Sequence, residues 1–238
     1  MRGYLTLVLL FATACTKQVV TAYPTPGNAS SIDNNMPQPK TFTYLALGDS
    51  YTIGEAVPQE QSFPYQLTRK FENNISPEII AVTGWTTGEL KQGIQQRNLQ
   101  KHDYDLVTLL IGVNNQYRHY SKDDYRKEFT ELLATAISYA SGNKQHVIVL
   151  SIPDWGVTPF GKNTGNSAAI ATDINLFNGI NREETDKAGV AYVNITPISR
   201  QANSQPDLVA TDGLHPSGRM YGLWVDQLVP VVTKQLAL

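Results

Sequence analysis

Short apolar runs punctuate the chain at regular intervals: Phe42 to Leu47, Glu78 to Thr83, Leu106 to Ile111, His146 to Ile152 and Ala191 to Ile195. Each is five to seven residues of mostly aliphatic character, the length and composition of a β-strand. Between them lie longer segments with apolar residues at helical spacing, around Phe63 to Glu72, Gly88 to Leu99, Lys122 to Ala140 and Ala168 to Lys187, with a last one from Pro216 to Leu236. The alternation predicts βαβ units throughout. Runs such as "LVTLLI" and "HVIVLSI" leave no polar face, as expected of parallel strands covered on both sides by helices. The expected fold is therefore α/β, a three-layer α/β/α sandwich around a five-stranded parallel sheet, occupying residues 41–238.

The first forty residues break this pattern. "MRGYLTLVLLFATAC" places Arg2 before an apolar stretch and three small residues before Cys15, the layout of a signal peptide over residues 1–14. The apolar stretch is too short to remain as a membrane span, which takes about 20 residues. Cys15, the sole cysteine, resembles the acylated cysteine of a bacterial lipobox, although Ala12 stands where Leu is usual. The expectation is an exported cell-envelope lipoprotein, at the outer membrane or cell surface, attached to the membrane through its N-terminal lipid. Cleavage without lipidation would leave a periplasmic or secreted protein. Residues 15–40, with four prolines and no periodicity, read as a lipidated N-terminus and flexible tether.

Composition narrows the function classes. The 19 basic residues are balanced by 21 acidic ones, so nothing points to nucleic acid. A single cysteine excludes an intramolecular disulfide and multi-cysteine metal sites. No His/Asp/Glu cluster has metal-ligand spacing, and no metal is expected.

Ligands of open parallel sheets bind beyond the carboxyl ends of the strands, so the residues that follow each run form one set. They are Gly48-Asp49-Ser50, Gly84-Trp85, Gly112-Val113-Asn114-Asn115, Pro153-Asp154-Trp155-Gly156 and, further on, "TDGLHPSG" with Asp212 and His215. Of the four histidines, His102 precedes the third run and His146 opens the fourth, so both fall at the opposite edge, roughly 17 to 20 Å away. His119 stays possible as a base but has no obvious orienting acid except Asp123 and Asp124, which start the next helix. His215 has Asp212 three residues earlier, a spacing that lets the carboxylate hold one ring nitrogen while the other faces Ser50. Gly84 and Asn114 offer a backbone N–H and a side-chain amide for an oxyanion hole.

Capping of a following helix by Ser50 is the competing explanation, and it fits poorly because helical periodicity begins only near Phe63. Asp49 is expected to organise the turn through its side chain. Tyr51, Trp85, Tyr117 and Trp155 lie at the same edge as candidate substrate-binding aromatics, each equally able to pack loops together. Residues 154–167 read as a structureless loop beside the site, and Pro216 as the first residue of the last helix.

Together, Gly48-Asp49-Ser50, Gly84, Gly112-x-Asn114 and Asp212-x-x-His215 resemble the SGNH hydrolases, also called the GDSL esterase/lipase family, over the whole domain after the tether. The resemblance implies a flavodoxin-like sheet of order 2-1-3-4-5 and no metal or organic cofactor. It further implies a Ser50–His215–Asp212 triad and an oxyanion hole from Ser50, Gly84 and Asn114. The activity implied is ester hydrolysis through an acyl-enzyme; a surface lipoprotein with edge aromatics suits carbohydrate O-acetyl or short-chain acyl esters, and a monomer acting on small-molecule or polysaccharide substrates is expected. Lysophospholipase or thioesterase activity and a non-catalytic glycan-binding role are the alternatives. Asn115 departs from the family's Gly-x-Asn-Asp block, and Tyr51 replaces its Leu.

Overall fold

The computed structural model describes residues 42–71 and 77–237. The stretches expected to be a signal peptide and a tether, with Cys15 between them, lie outside the described residues. The strands are β1 (Tyr44–Gly48), β2 (Glu78–Ala81), β3 (Leu106–Leu110), β4 (Val147–Leu150) and β5 (Ala191–Val193). They form one parallel sheet in the order 2-1-3-4-5. Every residue of β1, β3 and β4 is buried, whereas β2 and β5 at the sheet margins are only partly covered. Burial on both faces is why the central strands show no polar alternation.

Nine helices lie among the described residues: α1 (Ser50–Ile53), α2 (Phe63–Lys70), α3 (Thr87–Arg97), α4 (Val113–Tyr117), α5 (Lys122–Tyr139), α6 (Pro159–Asn163), α7 (Ser167–Ala188), α8 (Thr196–Arg200) and α9 (Gly218–Leu236). On the sheet, α3, α5 and α7 pack side by side, while α2 packs against α9. The five longer helices fall where apolar periodicity places them, and their ends are set by capping. Thr86 and Glu89 form a reciprocal capping box that starts α3 one residue earlier than the periodicity suggests. Ser217 caps α9 by accepting a hydrogen bond from the Met220 N–H, so Pro216 precedes that helix instead of opening it.

Residues 154–167 are not structureless. Asp154 caps a 3₁₀ turn over Trp155–Val157, and Thr158 caps α6. Five residues are too few to show a helical period, so α6, like α1, α4 and α8, is invisible to pattern reading.

Asn115 fastens the functional edge to the helical layer. Its Oδ1 accepts the Thr87 N–H at 3.0 Å, an orphan amide in the first turn of α3, and its Nδ2 donates to Thr87 Oγ1 at 2.7 Å. Both residues are fully buried. The amide thus ties α4 to the first turn of α3. Asn115→Ala should lower unfolding free energy by about 1–3 kcal/mol, because the Thr87 N–H is left unpaired inside the protein. A urea-denaturation midpoint indistinguishable from wild type would contradict this.

Candidate active site

Strand β1 ends where the sheet order reverses, between β2 and β3. The chain turns sharply at Gly48, where a Cβ would collide with Thr52 Oγ1 and the Leu110 carbonyl oxygen. It then enters α1, a single turn that begins at Ser50 and closes at Gly54 in the left-handed conformation. A helix does follow the apolar run, contrary to expectation, but Asp49 is its cap and Ser50 its first residue. Asp49 Oδ1 accepts the Tyr51 N–H at 3.0 Å. As the first helical residue, Ser50 carries an N–H that no helical carbonyl can satisfy.

Asp49 is fully buried, and its Oδ2 has no hydrogen-bond partner among the described residues. Burial pushes its pKa up from 3.8 to about 7, against the smaller opposing effect of the Tyr51 N–H.

The loop before α9 is organised by Asp212. Its Oδ1 accepts the N–H groups of Leu214 (2.9 Å) and His215 (3.0 Å), and its Oδ2 lies 2.5 Å from His215 Nδ1. Partial burial raises the Asp212 pKa, but the hydrogen bonds from the His215 ring and these two N–H groups outweigh it and hold the carboxyl below its ordinary value. The His215 ring is further packed edge-on against Tyr51, with centroids 5.6 Å apart. Burial, reinforced by the charges of Asp49, Asp154 and Asp212, holds the Tyr51 phenol far above its ordinary pKa and keeps it neutral.

Asn114 lies in the first turn of α4, after Gly112 in the positive-φ region, where a Cβ would collide with the Tyr125 hydroxyl. Its Nδ2 donates to the Trp85 carbonyl oxygen at 2.9 Å, which orients the amide and leaves its second N–H for another acceptor. Gly84 also has positive φ, +85°, and its carbonyl accepts from Arg118 Nη2 at 2.7 Å.

Ser50, Asn114 and His215 line one cavity of about 210 Å³, whose other walls are Tyr51, Val113, Tyr117, Trp155, Phe160 and Leu214. Among the described residues no hydrogen bond joins Ser50 to His215; such contacts are commonly long without substrate. Three of the four edge aromatics therefore reach the cavity and Trp85 does not: its ring packs on Gly93 of α3, and its contribution is the carbonyl that orients Asn114. Phe160 and Leu214 escaped the sequence reading. Their only signal was an apolar residue within a polar loop. His102 stacks on Tyr139 (4.7 Å), and His146 lies in the turn before β4, both at the amino edge. His119 lines a separate, adjoining cavity.

A parallel sheet of this order, with serine, asparagine and an aspartate-held histidine gathered at its carboxyl edge, defines an α/β ester hydrolase. The chain belongs to the GDSL-like lipase/acylhydrolase family, whose model matches residues 46–223. Solved structures similar in fold include a lipolytic protein of the G-D-S-L family from Veillonella parvula (16% identity, TM-score 0.64, covering 82% of this chain and 100% of that one). An acetyl xylan esterase is alike to the same degree (16%, TM-score 0.64, 80% and 100%). A psychrotrophic esterase from Pseudoalteromonas sp., solved with monoethylphosphonate, also matches (18%, TM-score 0.58, 82% and 99%). No curated relative matches the chain by sequence. The protein is a hydrolase of ester bonds.

The raised pKa of Asp49 has a thermodynamic signature. Between 3.8 and about 7 the unfolded chain has released this proton while the native state retains it, so this group makes stability fall as pH rises through that window. Asp49→Asn keeps an oxygen for the Tyr51 N–H and removes the titration. The variant should become more stable relative to wild type from the acidic to the neutral end of the window, as read by denaturation at successive pH values. A constant stability difference would refute the assignment.

Proposed function

We propose that this protein is a serine esterase in which Ser50 is the nucleophile, His215 the general base and Asp212 its orienting partner. The observation that carries this reading is the Asp212–His215 pair, built into a loop that delivers the imidazole to the same cavity as Ser50. With Nδ1 committed to Asp212, Nε2 is the nitrogen that takes the Ser50 proton as Oγ attacks the ester carbonyl carbon. The carbonyl oxygen becomes an oxyanion, for which the N–H groups of Ser50 and Gly84 and the free N–H of Asn114 are the donors. Collapse breaks the bond to the alcohol oxygen, which leaves with the proton returned by His215. Water, deprotonated by the same imidazole, then attacks the acyl-Ser50 ester and releases the acid.

The small apolar cavity suits a short acyl group, and carbohydrate O-acetyl or short-chain acyl esters are the proposed substrates. Export through the signal peptide with acylation at Cys15 is proposed on the motif alone.

Ser50→Ala should abolish labelling by a fluorophosphonate probe and reduce nitrophenyl acetate hydrolysis by roughly 10⁴-fold or more. Asn114→Ala should retain labelling but lose about 10²–10³ in kcat. Correctly folded wild-type protein that takes no adduct at Ser50 would instead favour a non-catalytic binding role. Metabolic palmitate incorporation that disappears in Cys15→Ser is the expected result for the anchor; equal incorporation in both would exclude acylation at this residue.

A further inference from the structure

The cavity beside Ser50 does not end at its outer wall. Tyr117 and Trp155 also form one side of a second, larger basin of about 440 Å³. Trp155 is a fixed partition: it is buried, and its Nε1 donates to Gln116 Oε1 at 2.8 Å. Tyr117 stands edge-on to it at 5.5 Å and is 51% exposed, so its ring is open to a ligand spanning both cavities.

The two cavities differ in chemistry. The inner one is walled chiefly by apolar side chains, whereas the outer one presents His119, Asn166, Thr164 and Asp173. Two of these are uncommitted. The His119 side chain makes no hydrogen bond among the described residues, although its backbone sits at φ +57°, a region that disfavours residues with a Cβ. Asn166 precedes α7 but its amide does not cap that helix, leaving its donors and acceptor free. Asp173 is held by Lys122 at 3.2 Å.

We propose that this basin is the subsite for the alcohol half of the ester, and that it selects a neutral, polyhydroxylated alcohol, a saccharide, over a phosphodiester headgroup. The inference rests on the esterase reading, with the acyl group beside Ser50 and the leaving alcohol across the Tyr117–Trp155 partition. A pyranose has an apolar face for the Tyr117 ring and vicinal hydroxyls for planar amide, imidazole and carboxylate groups. A phosphodiester requires cationic donors. Among the described residues that line the basin there is no arginine or lysine, and Lys122, which reaches Asp173 from outside this lining, is committed to that ion pair. Because His119 and Asn166 are both exposed, the basin is an open groove, a shape that lets a longer glycan run past the site.

The test combines His119→Gly, which suits the left-handed backbone, with Asn166→Ala, which removes no helix cap. Neither residue belongs to the proposed triad or oxyanion hole. In full-length protein, the double variant should lose about tenfold or more in kcat/KM on acetylated xylo-oligosaccharide, chiefly through KM, since each lost hydrogen bond contributes on the order of 1 kcal/mol. Hydrolysis of nitrophenyl acetate, which has no polyol, should stay within about twofold of wild type by the same reasoning. Equal losses on both esters, or none on either, would overturn the proposal. Independently of catalysis, Ser50→Ala protein should bind deacetylated xylo-oligosaccharide in titration calorimetry, and binding should weaken when the two substitutions are added. Preferential binding of glycerophosphocholine, or glycan binding unaffected by the two substitutions, would also overturn it. Wild-type protein inactive on every ester would refute the esterase reading, while the calorimetry would still decide the subsite.

Discussion

Strand β1 is hydrogen-bonded on both sides, to β2 and β3, and buried on both faces, so the chain leaving Gly48 can only climb over the carboxyl edge of the sheet. The turn there is so tight that no side chain fits at Gly48, and the first residue free to form a helix is Ser50. The one-turn helix that results projects an unsatisfied N–H from the residue that also carries the hydroxyl. Everything else at the site is arranged around that point. The next strand over, β3, delivers Asn114 from its own one-turn helix, and the chain returns after β5 to bring His215 into the same cavity. A parallel sheet makes this convergence possible because all its carboxyl ends lie on one side.

Two carboxylates illustrate how environment divides the electrostatic work. Asp212 is one-third exposed at its side chain and collects two backbone N–H groups and the imidazole, so its negative charge is favoured. Asp49 is completely buried with one oxygen unpartnered, so its charge is disfavoured. A charge-bearing partner for His215 has to resemble Asp212. A residue that holds the turn before Ser50 can resemble Asp49. The two pKa values move in opposite directions from similar starting points because one acid is desolvated without full compensation and the other is surrounded by hydrogen-bond donors.

The candidate site was legible in part. Ser50, Asn114, Asp212 and His215 could be found because the sheet edge limits where functional residues can lie, and the histidines at the wrong edge, His102 and His146, could be set aside by the same rule. Trp85 was misplaced for a simple reason: a residue can follow a strand at the correct edge while its ring rotates away. Here the space over Gly93 receives it. Phe160 and Leu214 were missed because an apolar residue in a loop is common and says nothing about which way it faces. The one-turn helices α1 and α6 are set by single capping side chains, Asp49 and Thr158, and α4 by the positive-φ turn at Gly112, instead of by repeating pattern.

The layers, the five strands and the residue types gathered at the sheet edge follow from sequence pattern alone. Burial on two faces, or on one helical face, leaves a repeating apolar record over many residues. Tertiary structure alone decided which aromatics line the cavity, that Asp49 rather than Ser50 caps the first helix, and that a polar basin adjoins the apolar pocket across Trp155. The first and last of these depend on contacts between residues tens of positions apart, such as Trp155 and Gln116 or Asn114 and Trp85, and the cap on a single local hydrogen bond from the Tyr51 N–H to Asp49. A linear pattern carries no record of such contacts, because each is made once and by side chains whose direction is set by their neighbours.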